Sequence, residues 1–340
     1  MNLKSQLYEW FWNEKFWLPE NYSFKDIPRS NNDGLTLSRH LPFVVAALVV
    51  ARIVYNYCIK CLCSRWGLDD DKPKVNSEPA LDDFYKTTKR PSDNEILILS
   101  KRLDMTQRRI YLWFQRRRSL DKPGLPKKLS ESSWRFIFYT LVFSFGFYSL
   151  KSTPWFWDTS YCWQDFPVQS VQSSIEMYYL LQLSFYLSLL ITLLSDIRRS
   201  DFYEQVIHHI ATITLISISY ANNGVRMGSL IMIVHDAADV FLEASKCVHY
   251  LKFNTLADIG FVCFTLVFYI TRLYIFPFYI VRAASVDNPF IRCPSHTLSV
   301  VLLLVLQVLH LFWAKTIFDI AKRLVRGDNA TDLRSDDESE

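Results

Sequence analysis

The sequence predicts an all-α integral membrane protein: about seven transmembrane helices, with a small cytosolic helical segment between the first two. Three observations lead there. The 340 residues are 50% hydrophobic and 16% aromatic, and the apolar residues are bunched into runs near the ~20 residues that one bilayer crossing needs. Basic residues flank these runs in alternation. Two of the runs carry ionisable residues at helical spacing, which a bilayer tolerates only where they face a partner or a wet cavity. The net charge of +4 is small; its distribution carries the information.

The runs fall at 41–59, 134–150, 173–194, 204–220, 226–246, 257–280 and 297–318. Lys60 and Arg65 follow the first, Lys127, Lys128 and Arg135 lead into the second, and Arg198 and Arg199 follow the third. Lys246 and Lys252 follow the fifth, and Lys315, Lys322, Arg323 and Arg326 close the seventh. The positive-inside rule makes that side cytosolic. The N-terminus is then expected outside the cytosol and the C-terminus inside it. No basic, apolar, small-residue leader opens the chain, so the first run is expected to act as its own insertion signal.

Residues 1–40 are read as a lumenal segment. Trp10, Phe11, Trp12, Phe16 and Trp17 suit an interfacial aromatic belt, and Asn21-Tyr22-Ser23 is a glycosylation sequon on that side. A second sequon at Asn329 falls on the cytosolic side and should be idle. Cys58, Cys61 and Cys63 cluster at the cytosolic end of the first run, 41–65, as juxtamembrane filler or palmitoylation sites. Cys162 and Cys293 both fall in lumenal loops, where an oxidising compartment permits a disulfide.

Residues 66–127 break the membrane pattern. Gly67 to Lys89 is charged and reads as a linker. Ser92 or Asp93 is expected to cap a helix with Glu95 in its first turn. A turn follows at 104–106, then a basic helix at 107–118. Leu97, Leu99, Leu103, Ile110, Trp113 and Phe114 would supply its core. The run Trp113, Phe114, Gln115, Arg117, Arg118 resembles the helix-turn-helix half of a homeodomain. The first homeodomain helix is not evident, and Arg116 stands where homeodomains place the Asn that reads adenine. DNA is therefore not expected as a partner. The Arg cluster suits a structural role or anionic lipid.

The working region is 128–325. Gln205, His208, His209 and Thr212 share one face of a helix at ~100° per residue, and His235, Asp236, Asp239 and Glu243 share one face of the next. A short polar turn at 221–224 would aim these stripes at each other. Histidine serves as general base, general acid or acyl-accepting nucleophile near neutral pH, and a carboxylate would hold its tautomer. The His pair sits about 6–8 Å from the cytosolic end of its helix. A cytosolic activated substrate would reach it while a second arrives from the bilayer, which suits acyl transfer to a membrane lipid. Arg198 and Arg199 form an ion-pair cluster with Asp196 and Asp201, or else attract a phosphate-rich cosubstrate. Glu176 reads as a cap or snorkelling residue. A metal oxygenase would use His208, His209, His235 and Asp239, but the chain has seven histidines in all, too few for histidine-box enzymes; no metal is expected. Buried His–Asp pairs that only specify helix packing are the remaining reading.

The run from Ile175 to Leu190, then Asp196 to Lys246 with its His-His and HDAAD elements, then Thr271 to Ile280, resembles the Lag1 motif of the TLC-domain ceramide synthases over about 128–325. The FWLPENYSF stretch and the homeodomain-like insert are similar to the animal members. The resemblance implies N-acylation of a sphingoid base by a fatty acyl-CoA in the endoplasmic reticulum membrane. It needs no cofactor beyond that cosubstrate. His208 and His209 carry over as the catalytic pair, with His235, Asp236 and Asp239 supporting. Arg198, Arg199, Asn222, Asn223, Arg226 and Arg272 are candidate substrate-binding residues, and Arg272 needs a core carboxylate as partner. The spans would enclose an acyl tunnel whose length preference depends on the 281–296 loop. Membrane lipids and a homo- or hetero-dimer with other ceramide synthases are the remaining expected partners. The alternative is a non-enzymatic lipid-binding or translocon-associated TLC protein; His208-His209 followed by HDAAD favours the enzyme. The tail, 326–340, is acidic, with Ser335 before Asp336, Asp337 and Glu338 as a candidate phosphorylation site.

Overall fold

A computed structural model of the chain describes residues 12–28, 37–68, 74–287 and 293–325. These are helical throughout, with no strand among the described residues. In chain order the helices are α1 (Glu14–Trp17), α2 (Leu37–Arg65), α3 (Pro79–Thr87), α4 (Asp93–Leu103), α5 (Gln107–Asp121), α6 (Leu125–Leu150) and α7 (Pro154–Trp157). Then come α8 (Ser173–Thr192), α9 (Phe202–Ala221), α10 (Val225–Tyr250), α11 (Asn254–Phe268), α12 (Arg282–Ser285) and α13 (Pro294–Val325). A π-helix, Tyr269–Val281, continues α11 into α12. Ser335 and Asn329 lie outside the described residues.

Among the described residues, four helices are long and apolar enough to cross a membrane: Leu37–Arg65, Ser173–Thr192, Asn254–Ser285 and Pro294–Leu324. The other three expected spans form helices too, α6, α9 and α10, but their composition is more polar. α9 and α10 carry the His and carboxylate stripes, and α6 opens with Lys127, Lys128, Glu131 and Arg135.

The chain divides into two compact units. One takes in the described residues up to Tyr55 and from Glu131 onward; the other runs from Asn56 to Ser130. The second is a three-helix body. Leu81, Tyr85, Ile96, Leu99, Ile110, Trp113 and Phe114 form its core. The homeodomain helix not evident in the sequence is present as α3. Pro79 opens it, and Leu81 and Tyr85 bury one side of it. Ser92 caps α4 through a reciprocal box with Glu95 (Ser92 N–H to Glu95 Oε2, 2.7 Å; Glu95 N–H to Ser92 Oγ, 3.4 Å). Asp104 ends α4 in the left-handed region at φ 49°, where a short polar side chain is tolerated. Tyr85 donates to Asp121 (2.8 Å), and Arg117 bridges Asp121 (2.8 Å) and Asp82 (3.4 Å).

The first unit packs α8, α9, α10, the π-helix and α13 around Tyr178, Tyr179, Leu183, Leu215, Leu230, Met232, Phe276 and Leu306. α8 lies inside, and most of its face is buried. α2 is the reverse, apolar yet almost wholly open. It is held by Arg52, which is 3% exposed and binds Asp196 and Thr192. Arg135 reaches the other Asp196 oxygen at 3.0 Å. Cys162 and Cys293 are buried free thiols, so the disulfide expected between the lumenal loops does not form. Burial pushes the Cys162 thiol up to about 12. Asn21 is exposed, with φ at 72°.

Candidate active site

α9 and α10 are antiparallel neighbours joined at Asn222–Gly224, so the two stripes meet. The rings of His208 and His209 have centroids 6.0 Å apart, and His208 lies 6.2 Å from His235 on the facing helix. Tyr186 of α8 stands 6.4 Å from His208 and 6.0 Å from His209. Trp313 of α13 meets His208 edge-on at 5.5 Å. Its indole N–H donates to Asp201 just before α9 (3.1 Å), which fixes the wall against which His208 sits.

His235 Nδ1 lies 2.7 Å from the Ile231 carbonyl. A carbonyl only accepts, so Nδ1 carries the proton and Nε2 is left as an acceptor in the neutral ring. The atom 3.1 Å from that Nε2 is Nε2 of His310, which therefore donates. His310 is fully buried, and its Nδ1 has no hydrogen-bond partner. Arg272 in the π-helix donates to the His235 carbonyl (2.6 Å) and to Asp239 (3.1 Å). Asp239 is thus the core carboxylate that Arg272 needs. Its guanidinium comes within 3.4 Å of His310 Nε2, but with the proton on that nitrogen no hydrogen bond joins the two.

Asp236 faces α8 instead. Tyr178 Oη donates to it at 3.1 Å, and so does the Gln182 amide; Gln182 also donates to Tyr178 Oη (3.2 Å). Asp236 is 1% exposed. No hydrogen bond joins Asp236 or Asp239 to a ring nitrogen of His208 or His209, and Nδ1 of both histidines is buried without a partner. The expected carboxylate–imidazole pairing is absent: Asp236 turns to Tyr178 and Gln182 on α8, and Asp239 to Arg272. What the structure brings to the His pair is His235 with His310, Tyr186 and Trp313. Glu243, last of its stripe, pairs with Lys246 (2.9 Å) near Arg135 (4.0 Å).

The candidate binding residues fall in different places. Arg198 is exposed and stacks over Phe202 (4.8 Å) and Tyr203 (5.6 Å); Arg199 is buried. Both lie on the loop that leads into α9, at the His end. Asn222, Asn223 and Arg226 lie at the opposite end, ~20 Å along α9 at 1.5 Å per residue. There they hold backbone. Asn223 Nδ2 donates to the Pro167 (2.7 Å) and Gln169 (2.8 Å) carbonyls. Asn222 Oδ1 accepts the Gly224 N–H (3.0 Å), and Arg226 binds the Tyr161 carbonyl (2.9 Å) over the Trp155 ring. Their polar atoms serve the turn and the 151–172 loop rather than the histidines.

A narrow apolar cleft runs from Tyr186, Thr212 and His235 past Leu215, Met232 and Leu306 to Ser219 and Gly228. Its far end is tight. Tyr179 Oη contacts Ser219 Oγ (3.0 Å), and a Cβ on Gly228 would meet that Tyr179 oxygen at 1.9 Å. His310, Gln182 and Tyr178 were not legible as site residues. The available signals were His310 on the stripe Leu303, Leu306, His310, Ala314, Ile317, and Tyr178, Gln182, Tyr186 at every fourth position.

Residues 128–319 match the TLC domain family and residues 75–123 match the homeodomain family. Ceramide synthase 5 of Homo sapiens is 41% identical, the match covering 98% of this chain and 88% of that protein. Ceramide synthase 4 of Mus musculus is 37% identical over 97% and 86%, and ceramide synthase 3 of Homo sapiens 35% over 97% and 88%. Similarity of this degree, over nearly the whole of each chain, includes both the helices that carry the histidines and the three-helix insert. The chain belongs to the TLC-domain ceramide synthases.

Proposed function

We propose that the chain moves a fatty acyl group from acyl-CoA to the amine of a sphingoid base, sphinganine or sphingosine, making (dihydro)ceramide at the His208–His209 pair. The observation that carries the site is the buried, unpartnered Nδ1 of both rings beside a wall of His235, Tyr186 and Trp313. A buried ring nitrogen without a hydrogen-bond partner is open to a reacting group. Two routes fit. In one, a ring takes a proton from the amine as nitrogen attacks the thioester carbon. In the other, the acyl carbon bonds first to a ring nitrogen and then passes to the amine. In both, the C–S bond breaks and the amide C–N bond forms. The thiolate of CoA leaves with the proton that the amine gives up. His235, oriented by Ile231 and His310, stands beside the pair as a supporting residue. Asp236 and Asp239, held by Tyr178, Gln182 and Arg272, balance charge from a distance. Arg198 and Arg199 draw the cosubstrate's phosphates toward this end.

The same reading takes the chain across the membrane seven times, α6, α9 and α10 included. Residues 1–40 are lumenal, the 66–127 insert and the 326–340 tail are cytosolic, and 128–325 is catalytic. The endoplasmic reticulum is its membrane, Asn21 its glycosylation site and Ser335 its phosphorylation site. It pairs with itself or with other ceramide synthases, and the 281–296 loop sets the acyl length.

The decisive test is acyl-CoA-dependent N-acylation of sphinganine in microsomes, with wild type, His208→Ala and His209→Ala at matched expression and a panel of acyl lengths. Loss in both variants is expected. Retention in both would remove the pair from the chemistry, and inactive wild type would return the chain to a lipid-binding role.

A further inference from the structure

The three-helix unit has a feature that the acyl-transfer chemistry does not use. A groove runs along the first turns of α5, lined by Val75, Asn76, Met105, Trp113 and three arginines, Arg108, Arg109 and Arg116. The arginines of this helix divide into two sets. Arg117 is paired with Asp82 and Asp121, and Arg118 with the Lys89 carbonyl. Arg108, Arg109 and Arg116 are exposed and have no ion-pair or hydrogen-bond partner among the described residues. Glu78 is the one carboxylate on the rim. The groove floor is firm: Trp113 is 6% exposed, and its indole N–H is bound to the Asn76 carbonyl at 2.9 Å.

We propose that this groove is a phosphate-binding site that takes the headgroup of acidic phospholipids. Guanidinium groups bind phosphate with fixed, forked geometry, and three around one cleft exceed what Glu78 neutralises. Arg116 stands where a homeodomain carries a base-reading Asn, so the face offers charge in place of base readout. The tether selects the source of the phosphate. Only Lys122, Pro123 and Gly124 separate α5 from α6, a reach of about 10 Å. On the other side α2, long and apolar enough to cross a membrane, leads in. A unit tethered this closely to helices of the membrane region, on the cytosolic side that the proposed topology assigns it, stays within reach of the anionic lipids of that leaflet.

The test uses the full chain in nanodiscs of phosphatidylcholine alone, or of phosphatidylcholine and phosphatidylserine at four to one, with hydrogen exchange read across Met105–Arg116. Exchange in this stretch should slow in the mixed discs and recover with added salt. Each arginine removed should weaken the effect about fivefold, so R108Q/R109Q/R116Q should abolish it. K101Q/R102Q, on α4 outside the groove, should leave it intact. Equal exchange in the two discs, or equal loss in the α4 variant, would overturn the site. Slowing by free CoA or by a DNA duplex in neutral discs, with no response to phosphatidylserine, would overturn the lipid assignment. N-acylation measured in the same discs reports on the proposed function separately, because the exchange readout does not depend on turnover.

Discussion

At the scale of single residues, the site depends on side chains that hold other side chains. Asp236 takes both its donors, Tyr178 and Gln182, on one oxygen, and its other oxygen is buried without a partner. Removing a donor from a buried carboxyl oxygen costs about 1–3 kcal/mol. Gln182→Leu or Tyr178→Phe should therefore cut N-acylation by about tenfold or more at matched expression. Full activity in both would show that the held carboxylate is dispensable. His310 acts on His235 in the same way. His310→Ala removes the donor at His235 Nε2 and should lower the rate by about tenfold. The pH profile should change with it, since the ring left behind titrates without its neighbour; a lowered rate with an unchanged profile would make His310 a packing residue. The sequence stripes showed His208, His209 and His235 because they sit in polar company. His310 stood alone in an apolar run and looked like core, and only the packing of α13 on α10 gave it a partner.

At the scale of elements, helix contacts depend on where a side chain is missing. Gly228 lets α10 approach Tyr179 and Ser219, and an added Cβ would stand 1.9 Å from Tyr179 Oη and 2.6 Å from Ser219 Oγ. Gly228→Ala should destabilise the chain by about 1–3 kcal/mol through overpacking. Tyr179→Phe in the same chain removes the closest atom and should recover much of that loss, read as melting temperature in detergent. If the double variant melts with the single, another contact is responsible. Helix existence was legible here from apolar runs, caps and turn residues. Two things were not. α3 is short and charged, so Pro79 with Leu81 and Tyr85 read as linker. The widened turns of Tyr269–Val281 have no compositional sign beyond Pro277. Asn222, Asn223 and Arg226 misled for a third reason: polar residues at a turn look alike whether they bind ligand or cap backbone.

At the scale of the whole molecule, two predictions concern how the parts are held. Asp196 joins α2 to the rest of its unit by accepting from Arg52 and Arg135. Breaking a buried pair leaves uncompensated charge and costs about 3–5 kcal/mol. Asp196→Ala leaves two such arginines and should lower the yield of folded protein, read as monodisperse recovery from detergent; wild-type recovery would show that α2 is held by apolar contact alone. The three-helix unit has a pH limit. Burial, with the hydrogen bond to Asp121 second, pushes the Tyr85 hydroxyl from 10.0 up to about 12. A raised value means that the protonated form is favoured by folding. That contribution is whole below pH 10 and is lost as pH rises toward about 12. A carbon-13 label in the tyrosine rings should show the resonance that Tyr85→Phe removes titrating late; titration near 10 would mean that the bond to Asp121 is open in solution. The class of fold followed from hydropathy alone, because bilayer thickness sets run length. The number of crossings did not, because helices such as α9 and α10 take polar cargo inside and lose the hydropathy that marks a span.

The turn between α9 and α10 has a mechanical consequence. Its base is clamped by Asn222, Asn223 and Arg226 on the backbone of the 151–172 loop, while His208 and His235 lie far out on the two prongs. The prongs are pinned as well, α9 by the Trp313 bond to Asp201 and α10 by Arg272 on the His235 carbonyl and on Asp239, so the gap between them is braced at both ends.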